Sequence, residues 1–112
     1  MVSSVALAKE DWYGRVPGYG WQAIKIFQTL MFYAYILQSV SHPREYYRGH
    51  TSDLKVRLAD HNAGKSPHTA KFSPWKLVFY AAFESLQLAA HFERYLKTGS
   101  GHAFAKKRLG IE

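Results

Sequence analysis

Five side chains between residues 35 and 93 have the types that phosphodiester chemistry requires. They are Tyr35, Tyr47, Arg57, His61 and Glu93. In such a set a carboxylate can hold a divalent cation, an arginine can stabilise charge on a phosphate, and a phenolate or an imidazole can activate water. The set lacks the several carboxylates of a typical two-metal site. Together these types can support metal-assisted hydrolysis of a phosphodiester.

The position of Glu93 on a predicted helix makes this carboxylate unusual. With about 100° of rotation per residue, Glu93 falls within about 80° of Leu86, inside the stripe that also holds Ala89 and Leu96. A carboxylate facing a sheet costs free energy unless it is paired or binds a cation. We therefore expect either a cation site at Glu93 or a structural ion pair with Arg57.

A second predicted helix carries two further polar groups beside its apolar side. Leu54 and Leu58 define the buried side, and Arg57 and His61, four residues apart, lie together on its flank. A hydrogen-bonded histidine near a helix C-terminus is also an ordinary structural feature. The joint placement of both groups with Glu93 favours a site.

Tyrosines on the predicted strands would face the same protein interior as Arg57, His61 and Glu93 on the two helices. By a period of two, Tyr33, Tyr35 and Leu37 share one face of the first strand, and Tyr47 shares a face with Gly49 on the second. Each tyrosine alone is an ordinary sheet residue. Because they accompany an arginine, a histidine and a carboxylate, we count Tyr35 and Tyr47 as candidate site residues.

The elements that must position these groups begin at Met31. Aromatic and branched runs predict strands over residues 32–38 and 46–50 and over Trp75–Phe83. Thr51 or Ser52 is the predicted cap of a helix that ends near residues 62–64, and residues 64–74 form a basic loop. Ser85 is the predicted cap of a helix to about Lys97, and the segment Gly99-Ser100-Gly101 is predicted to break the chain before a short basic helix. The order ββαβαα predicts an α+β domain with a small three-stranded sheet flanked by helices.

Composition limits the classes of protein to which the chain can belong. Its 112 residues allow one domain, and its net charge of +7 suggests a polyanionic partner, nucleic acid first and an acidic membrane surface second. The absence of cysteine excludes disulfide scaffolds, thiolate zinc sites and cysteine nucleophiles, and is compatible with the cytoplasm, where we expect the protein. The longest apolar run, residues 77–83, is far shorter than the roughly 20 residues of a membrane helix, so we expect no membrane segment.

The first thirty residues differ from the rest. They hold Gly14, Pro17, Gly18 and Gly20 and show no sustained alternation, whereas residues 31–112 carry twelve basic and six acidic side chains. We expect residues 1–30 to be a weakly ordered extension. They either precede the true start of translation at Met31 or form a genuine arm.

A series of short motifs occurs in a fixed order along residues 31–109. They are Tyr33-Ala34-Tyr35, Tyr47-Arg48-Gly49, Asp53-Leu54, Arg57-Leu58, His61-Asn62, Thr69, Pro74-Trp75, Glu93 and Leu96-Lys97. Their order and spacing resemble the GIY-YIG endonuclease family, most of all its short stand-alone bacterial members, and the nuclease module of the excision-repair endonuclease shares this domain. The glycine and isoleucine of the first motif are Tyr33 and Ala34 here, and the isoleucine of the second is Arg48.

The resemblance implies a three-stranded antiparallel sheet and a role for each candidate residue. Tyr35 and Tyr47 would be the motif tyrosines, one of which, more often the first, activates water. Arg57 would contact the scissile phosphate, and His61 would assist proton movement or phosphate contact. Glu93 would be the sole protein ligand of one Mg²⁺ or Mn²⁺.

The function that the resemblance implies is metal-dependent endonucleolytic cleavage of DNA, with RNA kept open as a substrate. We expect structure-selective or weakly sequence-specific cutting, in DNA repair or recombination. The alternative is a basic nucleic-acid-binding module with vestigial or partner-dependent catalysis; a purely structural basic protein ranks below both. Candidate nucleic-acid contacts are His50, Lys65, His68, Lys71, Lys106, Lys107 and Arg108.

Overall fold

The structure, a computed structural model, describes residues 31–111. The expected extension over residues 1–30 lies outside the described residues. The elements are β1 (Phe32–Ser39), β2 (Tyr46–Thr51), α1 (Leu54–Asn62), α2 (Pro67–Ala70), β3 (Trp75–Phe83), α3 (Leu86–Leu96) and α4 (Gly99–Leu109). The predicted order holds, with one addition: the four-residue helix α2 lies inside the segment predicted as a loop.

The three strands form one antiparallel sheet in the order β2-β1-β3. The central strand β1 places Tyr35 opposite Gly49 on β2 and opposite Tyr80 on β3. Because β1 has a neighbour on each side and helices on both faces, residues 33–37 are all buried. The predicted α+β fold with a three-stranded antiparallel sheet is confirmed.

Alternate residues of β1 enter two different hydrophobic clusters. On one face the buried residues are Ile36, Leu96, Ala105 and Ile111, so this face is covered by α3 and α4. On the other face the buried residues are Tyr35, Leu37 and Trp75, with Leu54 and Leu58 of α1 packed against them. The period-two pattern of the strand therefore directs Tyr35 towards α1.

Of the two predicted N-caps, the one for α3 is confirmed and the one for α1 is not. Asp53, predicted in the first turn, is itself the N-cap, and its Oδ1 accepts a hydrogen bond from the Val56 amide at 3.1 Å. The predicted cap Thr51 instead accepts from the Asp53 amide at 3.1 Å, which explains why it does not cap the helix. Ser85 caps α3 as predicted.

The segment Gly99-Ser100-Gly101 is the first turn of α4, so the prediction of a chain break there is wrong. Thr98 is the N-cap, and its Oγ1 accepts from the Gly101 amide at 3.1 Å. Gly101 is buried where a Cβ would overlap the carbonyl oxygen of Tyr95 and the backbone of Leu96. Close packing between the end of α3 and the start of α4 thus requires glycine at this position.

Replacing Gly101 by alanine should therefore destabilise the fold. We expect the free energy of unfolding to fall by about 3 kcal/mol, because the new Cβ meets backbone that cannot move without separating α3 from α4. Gly99→Ala is the matched control, since nothing lies within 4 Å of its Cβ position and alanine favours the helix. Thermal and urea unfolding measure both variants; equal stability of the two would contradict the packing argument.

Candidate active site

The centre of the candidate site is a hydrogen bond between Tyr35 and His61. Tyr35, in the middle of β1, is 2% exposed, and His61, in the last turn of α1, is fully buried. The Tyr35 hydroxyl oxygen lies 3.0 Å from His61 Nε2. On the other side of the ring, His61 Nδ1 lies 2.9 Å from Oγ1 of Thr69 on α2. The imidazole therefore has a partner at both nitrogens.

The direction of each hydrogen bond around His61 follows from the bond that the Thr69 hydroxyl makes. The Thr69 hydroxyl donates to the Ser66 carbonyl oxygen at 3.3 Å, so its oxygen accepts from His61 Nδ1–H. Nε2 is then free to accept the proton of the Tyr35 hydroxyl. We assign a neutral imidazole with its proton on Nδ1, and burial, followed by the charge of Arg57, lowers the pKa of His61 in agreement with this.

Tyr35 is a protonated phenol in this arrangement. Burial raises the pKa of Tyr35 to about 12, although a hydrogen bond with Arg57 acts in the opposite direction. A phenol with this pKa is a poor base until its proton has an acceptor. The neighbouring Nε2 of His61 is such an acceptor, so the pair is arranged for proton transfer.

Arg57 and Tyr47 complete the group on this face of the sheet. Hydrogen bonding with the phenol of Tyr35, and to a smaller extent with that of Tyr47, raises the pKa of Arg57. The ring centroid of Tyr47 lies 4.6 Å from that of His61 and 6.2 Å from that of Tyr35. Four of the five candidate residues from the sequence thus lie together, with a permanent positive charge among two phenols and an imidazole.

Gly49 has no Cβ, and this leaves room for the Tyr35 hydroxyl against β2. A Cβ at position 49 would lie 2.6 Å from the Tyr35 hydroxyl oxygen and 2.9 Å from the Tyr47 ring. Both distances are shorter than van der Waals contact. The glycine of the second motif is therefore required by the position of the first motif's tyrosine.

We expect Gly49→Ala to displace the Tyr35 hydroxyl and lengthen its hydrogen bond to His61. The free energy of unfolding should fall by about 1–3 kcal/mol because the site is closely packed. The DNA cleavage that the family resemblance implies should fall by about tenfold or more in the folded fraction, since proton transfer depends on hydrogen-bond contact. Urea unfolding and cleavage rates corrected for the folded fraction measure the two effects; a wild-type rate would contradict this role of Gly49.

Thr69 is a site residue to which the sequence alone assigned no role. It lies in the segment predicted as a loop, and a proline at the start of α2 is the sequence feature that points to a helix there. Its side chain is buried, and its hydroxyl holds the proton of His61 on Nδ1. Thr69 is thus a positioning residue for the histidine.

Replacing Thr69 by valine keeps the volume and removes the hydroxyl. We expect a loss of about 1–3 kcal/mol in unfolding free energy because His61 Nδ1–H is left buried without an acceptor. Thr69→Ser retains the hydroxyl and should restore the cleavage rate that Thr69→Val loses. If the serine and valine variants cleave at the same rate, Thr69 does not act through its hydroxyl.

Glu93 lies on α3, the helix that covers the other face of the sheet from Tyr35 and α1. Its Oε1 is 2.6 Å from His50 Nδ1 on β2, and its Oε2 is 2.6 Å from Nζ of Lys97, one helical turn later. Burial acts to raise the pKa of Glu93, but the hydrogen bonds from Lys97 and His50 outweigh it and hold the pKa below its usual value. Burial is the main cause that raises the pKa of Tyr35, and the negative charge of Glu93 adds only the smallest contribution.

The ion pairs of Glu93 differ from the sequence expectation. Between residues 31 and 111, Glu93 pairs with His50 and Lys97 and not with Arg57, so the alternative of a structural Arg57–Glu93 pair is wrong. Arg57 instead contacts the phenols of Tyr35 and Tyr47 on its own face of the sheet. His50, interpreted from the sequence as a nucleic-acid contact, lies directly against the candidate metal ligand.

The Glu93 carboxylate fits a divalent cation that keeps most of its water. Within residues 31–111 no three histidine, cysteine or acidic side chains are grouped as a metal site. A Mg²⁺-type ion is commonly held by one or two carboxylates together with waters and substrate phosphate oxygens. Glu93 is ionised and its side chain is 16% exposed, so it is accessible to such an ion. Contacts of the carboxylate with Lys97 and His50 would have to rearrange.

Apart from His50, the candidate nucleic-acid contacts fall into two groups on opposite faces of the sheet. Exposed basic residues that follow α1, beside His61, are Lys65, His68 and Lys71. Lys106, Lys107 and Arg108 are exposed in the last turn of α4, which covers the other face of the sheet. Lys65 pairs with Asp60 at 3.4 Å. The first group therefore lies on the side of the Tyr35–His61 pair, and the second does not.

The described residues form a small α+β domain with tyrosines, an arginine and a histidine on one face of its sheet, and comparison with known proteins identifies its family. Residues 31–107 match the GIY-YIG catalytic domain. The chain belongs to the GIY-YIG family, whose domain is that of a nuclease. None of the helices within residues 31–111 has the length and apolar character to cross a membrane.

The similar proteins are short members of this family. A UPF0213 protein of Streptococcus pyogenes serotype M3 (strain ATCC BAA-595 / MGAS315) is 39% identical over 70 residues, covering 62% of this chain and 74% of the relative. A UPF0213 protein of S. pyogenes serotype M5 (strain Manfredo) is 38% identical over the same length. The solution NMR structure of the UPF0213 protein BH0048 from Bacillus halodurans covers 71% of this chain and 87% of its own, with 27% identity and a TM-score of 0.43.

Proposed function

We propose that the protein is an endonuclease that hydrolyses DNA phosphodiester bonds with one divalent metal ion, Mg²⁺ or Mn²⁺. The observation that carries this proposal is the buried hydrogen bond between Tyr35 and His61 with Arg57 beside it, in a domain of a nuclease family. The pair provides a route for the proton of the attacking water. The arginine provides a fixed positive charge for a phosphate.

The proton moves through Tyr35 in this mechanism. As a water oxygen forms its bond to phosphorus, the Tyr35 oxygen takes a proton from that water. The hydroxyl proton of Tyr35 passes to Nε2 of His61, 3.0 Å away. His61 becomes an imidazolium whose Nδ1–H remains bonded to Thr69. The bond from phosphorus to the 3′ oxygen breaks, and that oxygen is protonated from solvent.

Arg57 and Glu93 stabilise the charge that develops in this reaction. Arg57 lies against the phenol that receives the water proton, so its guanidinium can contact the reacting phosphate. Glu93 would hold the divalent ion, which when bound supplies positive charge to the phosphate and the leaving oxygen. Tyr47 packs against His61 and bonds to Arg57, which positions both groups.

Structure-selective or weakly sequence-specific cleavage is the mode that the fold favours. The 81 described residues offer little surface for reading a long base sequence, whereas Lys65, His68 and Lys71 can contact backbone phosphates beside the site. Binding should then weaken as salt increases. We propose a role in DNA repair or recombination on this basis, with RNA as a second substrate to be tested.

A second candidate function is nucleic-acid binding without independent cleavage. It is favoured by one observation: His50 and Lys97 together occupy both oxygens of Glu93. If these contacts do not yield to a cation, the site lacks its metal ligand unless a partner or the substrate rearranges it.

A panel of labelled substrates tests the first function against the second. Single-stranded, duplex, flap and branched DNA, and one RNA, are incubated with the full chain in Mg²⁺, in Mn²⁺ or in EDTA, and binding is measured in parallel. We expect cutting that requires the metal and is lost in Arg57→Gln, while Arg94→Gln, an exposed arginine on α3, behaves as wild type. Binding without cutting on every substrate would select the second function.

A further inference from the structure

We propose that His50 is a second protein ligand of the active-site cation, binding through Nδ1 beside Glu93, and that the site therefore prefers Mn²⁺-type ions to Mg²⁺. The inference rests on the proposed function, in which Glu93 holds a divalent ion. It departs from the expectation that Glu93 acts as the only protein ligand.

The two donor atoms have a spacing that a cation can bridge. His50 Nδ1 and Glu93 Oε1 are 2.6 Å apart. Two neighbouring ligands of an octahedral ion with bonds of about 2.1 Å are about 3 Å apart. The pair would have to open by a few tenths of an ångström, and the imidazole would have to release its Nδ1 proton and turn so that the Nδ1 lone pair points at the ion instead of at the carboxylate oxygen.

The backbone supports this placement from two elements. His50 lies near the end of β2, paired with Ala34 of β1, so its Cα is fixed by the sheet. Glu93 lies on α3, which packs against β1 and β2. The side chains are 36% and 16% exposed, which leaves them open to an ion and to its remaining waters.

Lys97 is the group that must leave when the ion binds. Its Nζ contacts Oε2 of Glu93, but its side chain is 55% exposed and joined to the helix by a flexible stem. A lysine on the same helix can turn into solvent at small cost because an exposed ion pair contributes little to stability. The histidine, held by the sheet, remains.

An imidazole ligand changes the metal preference. Mg²⁺ favours oxygen ligands, whereas Mn²⁺ and the later divalent ions of the first transition row accept an imidazole nitrogen more readily. A site with one carboxylate and one histidine should therefore bind Mn²⁺ more tightly than Mg²⁺. Removing the imidazole should lower this preference without removing the carboxylate.

The test measures metal binding directly. Mn²⁺ is titrated into the full chain while the electron paramagnetic resonance signal of free Mn²⁺ is recorded. The titration is made with the chain alone and with the chain bound to DNA in a Tyr35→Phe background, in which we expect cutting to be too slow to affect the measurement. Mg²⁺ is then added as a competitor. The variants are His50→Ala, His50→Asn and, as a matched control, His91→Ala, an exposed histidine elsewhere on α3.

The asparagine variant separates a ligand from a positioning residue. Asparagine can still donate a hydrogen bond to Glu93 but offers no imidazole nitrogen. We expect both His50 variants to weaken Mn²⁺ binding by about tenfold or more and Mg²⁺ binding by less than about threefold, with His91→Ala unchanged. Wild-type Mn²⁺ affinity in His50→Asn, or no Mn²⁺ binding by the wild-type chain in either setting, would overturn the proposal.

Cleavage assays distinguish failure of the His50 ligand assignment from failure of the proposed nuclease function. If the wild-type chain cuts DNA and His50→Asn keeps the wild-type ratio of Mn²⁺ to Mg²⁺ rates, only the ligand assignment is wrong. If Mn²⁺ binds through His50 but no substrate is cut, the metal site stands and the nuclease proposal falls.

Discussion

Replacing Tyr35 by phenylalanine should lower the single-turnover rate of DNA cleavage by a factor of about 10³, within the range measured for general acid–base groups. The ring and its packing against β2 and α1 are retained, and only the hydroxyl that connects water to His61 is removed. DNA binding should stay close to wild type, because Arg57 and the exposed lysines are unchanged.

The stability of this variant is the necessary control. Removing the hydroxyl leaves Nε2 of His61 buried without a partner, which should cost about 1–3 kcal/mol of unfolding free energy. Tyr95→Phe removes an exposed hydroxyl from α3 and should change neither rate nor stability appreciably. A Tyr35→Phe protein that is folded and cuts at the wild-type rate would contradict the proton route.

Glu93→Gln should abolish metal-dependent cleavage and spare DNA binding. The amide has the same size but carries no charge, so the site loses its ionised metal ligand and the rate should fall by about 10³-fold or more. Because the ion pairs with Lys97 and His50 are partly exposed, their loss should change stability by at most about 1 kcal/mol. Rates are measured across a range of Mg²⁺ and Mn²⁺ concentrations beside a DNA-binding titration.

Glu84→Gln is the matched control for this charge change. Glu84 is an exposed glutamate before α3, and its replacement alters the net charge by the same amount. We expect wild-type cleavage from it. Loss of DNA binding in Glu93→Gln but not in Glu84→Gln would give Glu93 a structural role instead, and full activity in Glu93→Gln would remove it from the metal site.

Local patterns were sufficient to predict most of the fold. Runs of aromatic and branched residues predicted all three strands, and a period of two placed Tyr35 and Leu37 on the same face of β1. The four-residue spacing of Arg57 and His61 placed them on one flank of α1. These predictions succeeded because each depends on residues close together in the chain.

Contacts between distant elements were the part that sequence could not supply. His50 and Glu93 are 43 residues apart, and only the packing of α3 against β2 brings them into contact. Thr69 meets His61 because a single turn of helix, α2, folds back over the end of α1. Neither contact follows from a period or a cap.

Gly99 and Gly101 show a different limit, that of predicting a helix boundary from residue preferences alone. Glycine is a poor helix former, so the sequence favoured a break there. In the structure the threonine cap and the close approach of α4 to the end of α3 outweigh that preference. Tertiary packing decided the local conformation.

A double-mutant cycle of Tyr35→Phe and His61→Gln tests the central claim most directly. Single-turnover cleavage of one labelled DNA substrate is measured for the wild-type chain, both single variants and the double variant, after each is shown to fold. Glutamine at position 61 retains an acceptor for the tyrosine but cannot take its proton at neutral pH. If the two residues act as one unit, each single change and the double change should lower the rate by about the same factor, near 10³. Independent effects that multiply in the double variant, or a wild-type chain that cuts no DNA in Mg²⁺ or Mn²⁺, would contradict it.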